Sequence, residues 1–189
     1  MKLKALILIP AAACTLAIAG CSSDDTSATT GTPESTTTCP TSVPDPTTQA
    51  DWVFQGTSGS IEVVAPTPTN APLITVNGDF SVNETTVKTL TPGTGAEVTA
   101  ESYVTVCYHG VLGRDGATFD DSFSRGAPEQ FSPMGVVPGF RQALIGQKVG
   151  SKVAVAIPPA DGYGAAGSSD GTIKGTDTIV FALSILDAS

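Results

Sequence analysis

The chain has 189 residues, with nine Lys and Arg against eighteen Asp and Glu, and a single histidine. A formal net charge of −9 with no basic stripe excludes nucleic acid as a natural partner, since phosphate contacts need clustered Lys and Arg. One histidine, with no clustered Ser/His/Asp or Cys/His set, also leaves little material for a hydrolytic triad or a metal centre.

Residues 1–20 read as a bacterial export signal. Lys2 and Lys4 give a basic start, and Ala5 to Ala19 run apolar apart from Thr15, with Pro10 breaking any long helix. The run is shorter than the ~20 residues needed to span a bilayer. It ends at Ile18-Ala19-Gly20-Cys21, which looks like a lipobox, so Cys21 is expected to carry lipid and become the new N-terminus. Several acyl chains attach stably where one is marginal, which places the protein on the extracytoplasmic face of a membrane. Cleavage there removes two of the nine basic residues and no acidic one, for a formal charge of −11.

Residues 21–50 read as a tether. Ser, Thr and Pro fill nineteen of the twenty-nine positions from 22 to 50, too polar to bury a core. A flexible chain of that length has an r.m.s. reach of ~30 Å. With Cys14 lost and Cys21 lipidated, Cys39 and Cys107 remain. Outside the cytoplasm they can pair, stapling the tether to the domain; otherwise Cys107 is a buried strand thiol and Cys39 a free one.

Residues 51–85 carry the short apolar runs Ile61–Val64 and Leu73–Val76, divided by Pro, Asn and Gly. Too short for a second domain, they are expected to add strands or an edge cover. Residues 86–189 hold the main domain. Strands are expected at Thr86–Leu90, Tyr103–Tyr108, Val153–Ile157 and Thr178–Leu186, with turns at Pro92-Gly93-Thr94-Gly95 and Asp115-Gly116. One helix is expected, with Pro138 in its first turn, Phe140 and Leu144 on its apolar face and Gly146 ending it. Pro158-Pro159 opens a long loop to about Gly175. The class is α+β, a sheet around one short helix.

Five segments of this domain form an ordered aromatic set. They are Val-Thr-Val-Cys-Tyr-His-Gly at 104–110, Thr-Phe-Asp-Asp-Ser at 118–122, Val-Val-Pro-Gly-Phe at 136–140, Ile-Pro-Pro-Ala-Asp-Gly-Tyr-Gly at 157–164 and Asp-Thr-Ile-Val-Phe-Ala-Leu at 177–183. Over residues 86–187 this order resembles the FKBP-type peptidyl-prolyl isomerases. The resemblance implies a half-open antiparallel β-barrel wrapped around the helix, here with extra N-terminal strands. It implies a monomer acting on Xaa-Pro segments of exported polypeptides, with macrolides as inhibitors of the family, and no cofactor or metal.

It also implies a site. Tyr108 and Phe119 would line one wall; Phe131, Val136 and Val137 a rim and another wall. Phe140 would be the floor, where the family often has the larger tryptophan. Tyr163 would offer its hydroxyl to a substrate carbonyl, and Ile173 and Phe181 would close the pocket. Asp120 would be held by the Tyr108 hydroxyl and Arg125. Taken singly, Phe131 or Phe181 would read as core; the ordered set carries the reading. Asp121 reads as a solvated turn carboxylate and His109 as an exposed strand-end residue with no role.

Two departures stand out. Pro128-Glu129-Gln130 replaces an aromatic before Phe131, making one wall more polar, and the loop between Phe131 and Val136 is shorter than in many members. The polar loop 164–175 is expected to impose little side-chain selectivity. A proline-binding module with little turnover is the main rival reading. A solute-binding lipoprotein fits poorly, because one small domain lacks a two-lobed cleft.

Overall fold

The computed structural model describes residues 38–189. The export signal, the lipidation site Cys21 and the tether up to residue 37 lie outside the described residues. Two antiparallel sheets make up the structure. The first holds β1 (Trp52–Gln55), β2 (Ser58–Val64) and β3 (Leu73–Ser81) in that order. The second runs β4 (Thr86–Thr91), β8 (Lys152–Ile157), β9 (Ile179–Ala188), β5 (Val104–Leu112), β6 (Thr118–Asp121). A short β7 (Glu129–Phe131) also pairs with β5, beyond β6 on the same edge. This main sheet is open and curved rather than closed.

Strand alternation explains the layering. From β5, Val104, Val106, Tyr108 and Leu112 join the core that faces the helix α1 (Pro138–Leu144), together with Val153, Val155 and Ile157 of β8 and Leu183 and Ile185 of β9. Cys107 and Val111 point the other way. The near-continuous apolar runs of β8 and β9 follow, since both strands are covered on both faces. On the outer face small residues dominate: Ala154, Ala156, Val180 and Ala182 pack against Ile61, Val63, Ile74 and Phe80 of the first sheet. Each large side chain fully buried there contributes ~1.5–3 kcal/mol by leaving water.

Residues 51–85 add the expected strands, but these neither join the main sheet nor cover its edge. They form a separate sheet laid flat on its outer face, because alternate residues of β2 present Ile61 and Val63 to the alanines opposite. The expected tether also ends earlier than residue 50. Cys39 is buried and disulfide-bonded to Cys107, with a Cα–Cα separation of 5.7 Å, which resolves the alternative left open by the sequence. The Cys39 N–H donates to the Gly126 carbonyl at 3.2 Å and the Ala71 N–H to the Ser42 carbonyl at 2.7 Å, so residues 38–42 belong to the folded unit.

Two expectations for polar residues are also corrected. His109 lies within β5 opposite Asp121 of β6, its Nδ1 3.1 Å from the carboxylate, with side chains only 18% and 17% exposed. Asp121 in turn accepts from the Phe123 and Ser124 N–H groups at 2.9 and 3.2 Å. Asp121 is thus a turn-forming acceptor, and neither residue is freely solvated.

The helix is as short as expected, Pro138–Leu144, and Gly146 follows with φ +83°. Its close seat on β8 depends on Gly139, where a Cβ would stand 2.4 Å from an Ile157 methyl carbon. That contact fixes the height of Phe140 above the sheet.

Candidate active site

Between the inner face of the main sheet and α1 lies a cavity of about 420 Å³. It is lined by Tyr108, Phe119, Asp120, Phe131, Val136, Val137, Phe140, Tyr163 and Phe181, with Glu129 and Gly135 at its edge. Nine of the ten residues expected at the site thus share one hollow. The tenth, Ile173, is a buried core residue that lines an adjoining hollow of about 160 Å³, whose walls include Phe119, Asp120 and Tyr163. Phe119, Asp120 and Tyr163 border both hollows, so Ile173 stands next to the main cavity.

The aromatic rings support one another edge to face. Phe140 meets Phe181 at a centroid distance of 4.8 Å and 75°, and Phe119 meets Phe181 at 5.3 Å and 82°. Tyr108 contacts Phe131, Phe140 and Phe181 at 5.8 to 6.2 Å. Such pairs prefer this geometry by ~0.5–1.5 kcal/mol beyond burial, and the result is a rigid apolar bowl. Gly110 is needed for it: a Cβ there would lie 2.7 and 2.8 Å from ring carbons of Phe181 and Phe119. Phe140, 5% exposed, forms the floor, and Tyr163, 41% exposed, stands at the mouth.

One polar cluster edges the bowl. The Tyr108 hydroxyl donates to Asp120 Oδ2 at 2.6 Å, and Arg125 donates to Asp120 Oδ1 at 2.8 Å and to the Tyr108 oxygen at 3.2 Å. The Arg125 guanidinium carbon also lies 5.9 Å from the Tyr108 ring centroid. Burial pushes the Asp120 carboxyl up, but the Tyr108 hydroxyl and the Arg125 guanidinium outweigh it and hold the group below its usual value. Burial, reinforced by Asp120, pushes the Tyr108 hydroxyl up, so it remains a donor across the physiological range. Tyr163 is raised too, first by burial and then by the charges of Asp120 and Asp170.

The pairing of β6 and β7 on one edge of β5 places this cluster. The chain leaves β6 just after Asp120 and re-enters at Glu129, so Arg125 in the intervening loop turns back onto Asp120. Arg125 also binds Glu129 at 2.5 Å. Glu129 thus turns the polar departure noted in the sequence into a second anchor for Arg125.

Ser122 is a support that sequence reasoning passed over. It is fully buried and accepts from the Tyr108 N–H at 2.8 Å, while its own N–H donates to the Tyr108 carbonyl at 2.9 Å. It thereby sets where the Tyr108 ring enters the bowl. Its position two residues after Asp120 was the only hint.

Residues 95–186 match the FKBP-type peptidyl-prolyl cis-trans isomerase family. The probable FK506-binding protein of Corynebacterium glutamicum is 36% identical over 96 residues, covering 51% of this chain and 80% of that protein. The FKBP-type peptidyl-prolyl cis-trans isomerase FkpA of Escherichia coli is 42% identical over 84 residues, covering 44% of this chain but 30% of FkpA. The chain therefore spans less than a third of that relative's length. A 1.6 Å crystal structure of a peptidyl-prolyl cis-trans isomerase from Pseudomonas syringae superposes with a TM-score of 0.50 at 34% identity, over 56% of this chain and 75% of that one. With its open sheet around one short helix, its aromatic bowl and these relatives, the chain belongs to the FKBP-type peptidyl-prolyl cis-trans isomerase family.

Proposed function

We propose that this protein catalyses cis/trans isomerisation of Xaa-Pro bonds in the bowl above Phe140. An Xaa-Pro amide rotates over a barrier of ~18–20 kcal/mol and takes tens to hundreds of seconds unaided. At the top of the barrier the twisted amide has lost resonance and has a smaller dipole. A dry aromatic pocket disfavours the planar, more polar amide relative to the twisted one, and each ~1.4 kcal/mol of that difference gives tenfold in rate. The proline ring would sit on Phe140, walled by Phe119 and Phe181, while the Tyr163 hydroxyl at the mouth donates to a substrate carbonyl. The observation that carries the reading is the closed aromatic set with Asp120 fixed between Tyr108 and Arg125 at its edge. No nucleophile or general base is required.

In the finer reading, Cys21 anchors the domain by lipid to the outer face of a bacterial membrane, where it assists folding of exported chains. The basic start, apolar run and Ile18-Ala19-Gly20-Cys21 sequence support it. Macrolides that fill an apolar bowl would compete with the peptide. A second reading, binding of proline segments with little turnover, is favoured by the Glu129 carboxylate at the cavity edge, which makes that side polar.

Isomerisation of an Xaa-Pro-Phe reporter peptide, followed with the purified protein and its Phe119→Ala and Asp120→Leu variants, separates the two. Acceleration by wild type that is lost in folded variants supports the enzyme. Binding that the variants weaken, with no acceleration for any residue before proline, would leave only the binding module.

A further inference from the structure

A second cavity, of about 310 Å³, opens on the outer face of the main sheet, away from the proline bowl. It lies where the two outer covers meet. Pro68 from the β2–β3 connection bounds one side and Pro40, next to the disulfide, bounds another; the half-buried side chains of Leu186 and Val149 complete the apolar lining. One charged group enters it, Lys152 at the start of β8.

Lys152 is unusual in what surrounds it. Its ammonium donates to Ser184 Oγ at 2.6 Å, across the β8–β9 register. None of the ion pairs among the described residues includes it. A half-buried ammonium with a neutral partner is held at a cost unless an anion completes it. Burial alone lowers its pKa, in keeping with an uncompensated charge.

We propose that this cavity is a binding site for a small aliphatic carboxylate, with the carboxylate on Lys152 and Ser184 and the tail against Leu186, Val149, Pro40 and Pro68. The charge calls for a monoanion and the apolar lining calls for a hydrocarbon. Taking ~30 Å³ per water-sized group, the volume holds on the order of ten heavy atoms, the size of an eight-carbon acid. The site shares no residue with the proline bowl, so its existence does not depend on isomerase activity.

Titration of the purified protein with octanoate and, separately, with 1-octanol tests this, read by amide chemical shifts and calorimetry. Octanoate should shift Val149, Ser184 and Leu186 and bind at least about tenfold more tightly than 1-octanol, as a desolvated ion pair requires. Lys152→Met should erase that preference and Lys152→Arg should retain it. The proposal is overturned if octanoate moves none of these resonances, if the alcohol binds wild type as well as the acid, or if Lys152→Met binds octanoate unchanged. Binding of acetyl-Leu-Leu with a free carboxylate, with octanoate silent, would also overturn it in favour of a chain terminus.

Discussion

The two faces of the main sheet are built from the same strands but do different work. On the inner face β5 and β9 present Tyr108 and Phe181, rings too large to close-pack against a helix of seven residues, and a bowl remains. On the outer face the neighbouring positions of β8 and β9 are Ala154, Ala156 and Ala182, small enough for a second sheet to lie flush. Cys107 and Tyr108 show the division at one step of one strand: the first carries the disulfide outward, the second carries the hydroxyl that binds Asp120 inward. The contrast teaches that residue size on each face decides whether the sheet makes a site or a core.

If this division holds, outer-face changes should cost stability and spare the rate of the folded protein, and inner-face changes the reverse. The largest stability effect is expected from removing the disulfide. Its sequence separation of 68 residues gives ~4 kcal/mol by the chain-entropy relation. Urea unfolding of a Cys39→Ser/Cys107→Ser double variant measures it, while kcat/KM of the folded fraction should stay within about twofold. Ile61→Ala, at a fully buried outer-layer position, should cost about 3 kcal/mol, again with catalysis intact. A fall in kcat/KM in either variant would break the division.

Asp120→Ala tests the other face. It removes the acceptor shared by Tyr108 and Arg125, and kcat/KM should drop by about tenfold or more, equivalent to ~1.4 kcal/mol of barrier. Stability should change by less than ~1 kcal/mol, because the ion pair is nearly half exposed. Protonation should mimic the variant. Asp120 titrates below its usual value in the fold, so its contribution is complete above the unfolded-chain value of ~3.9 and is lost as pH falls through the lower folded value. The activity profile should be flat from neutral pH to about pH 4 and fall only below it; a fall centred near pH 5–6 would contradict the arrangement. The smallest effect is expected from Glu129→Gln, under ~1 kcal/mol of stability, since Arg125 keeps Asp120 as its partner.

The inner face was largely legible in the sequence, and the outer face was not. Tyr108, Phe119, Asp120 and Phe140 sit in segments whose order marks the family, and the helix carries its own punctuation in Pro138 and Gly146. Ile61 and Val63 announce a half-buried strand, but alternation does not say what that strand packs on; the partner surface is made of alanines more than ninety positions away. Composition likewise failed at Cys39 to Ser42, where a Ser/Thr/Pro-rich tract reads as tether although one disulfide and a few backbone bonds hold it down. Ser122 was hidden for a related reason, because a serine that locks the backbone of a residue fourteen positions earlier leaves no local pattern.

The most direct test of the proline bowl is exchange spectroscopy on an Ala-Leu-Pro-Phe peptide with a catalytic amount of the purified protein, with protein chemical shifts followed in the same titration. The expected result is faster exchange between cis and trans peptide signals, with perturbations gathered at Tyr108, Phe119, Phe140 and Tyr163 and absent from Ile61, Phe80 and Ala156. Unchanged exchange rates, or perturbations gathered on the outer face, would contradict the assignment of the bowl as the catalytic surface.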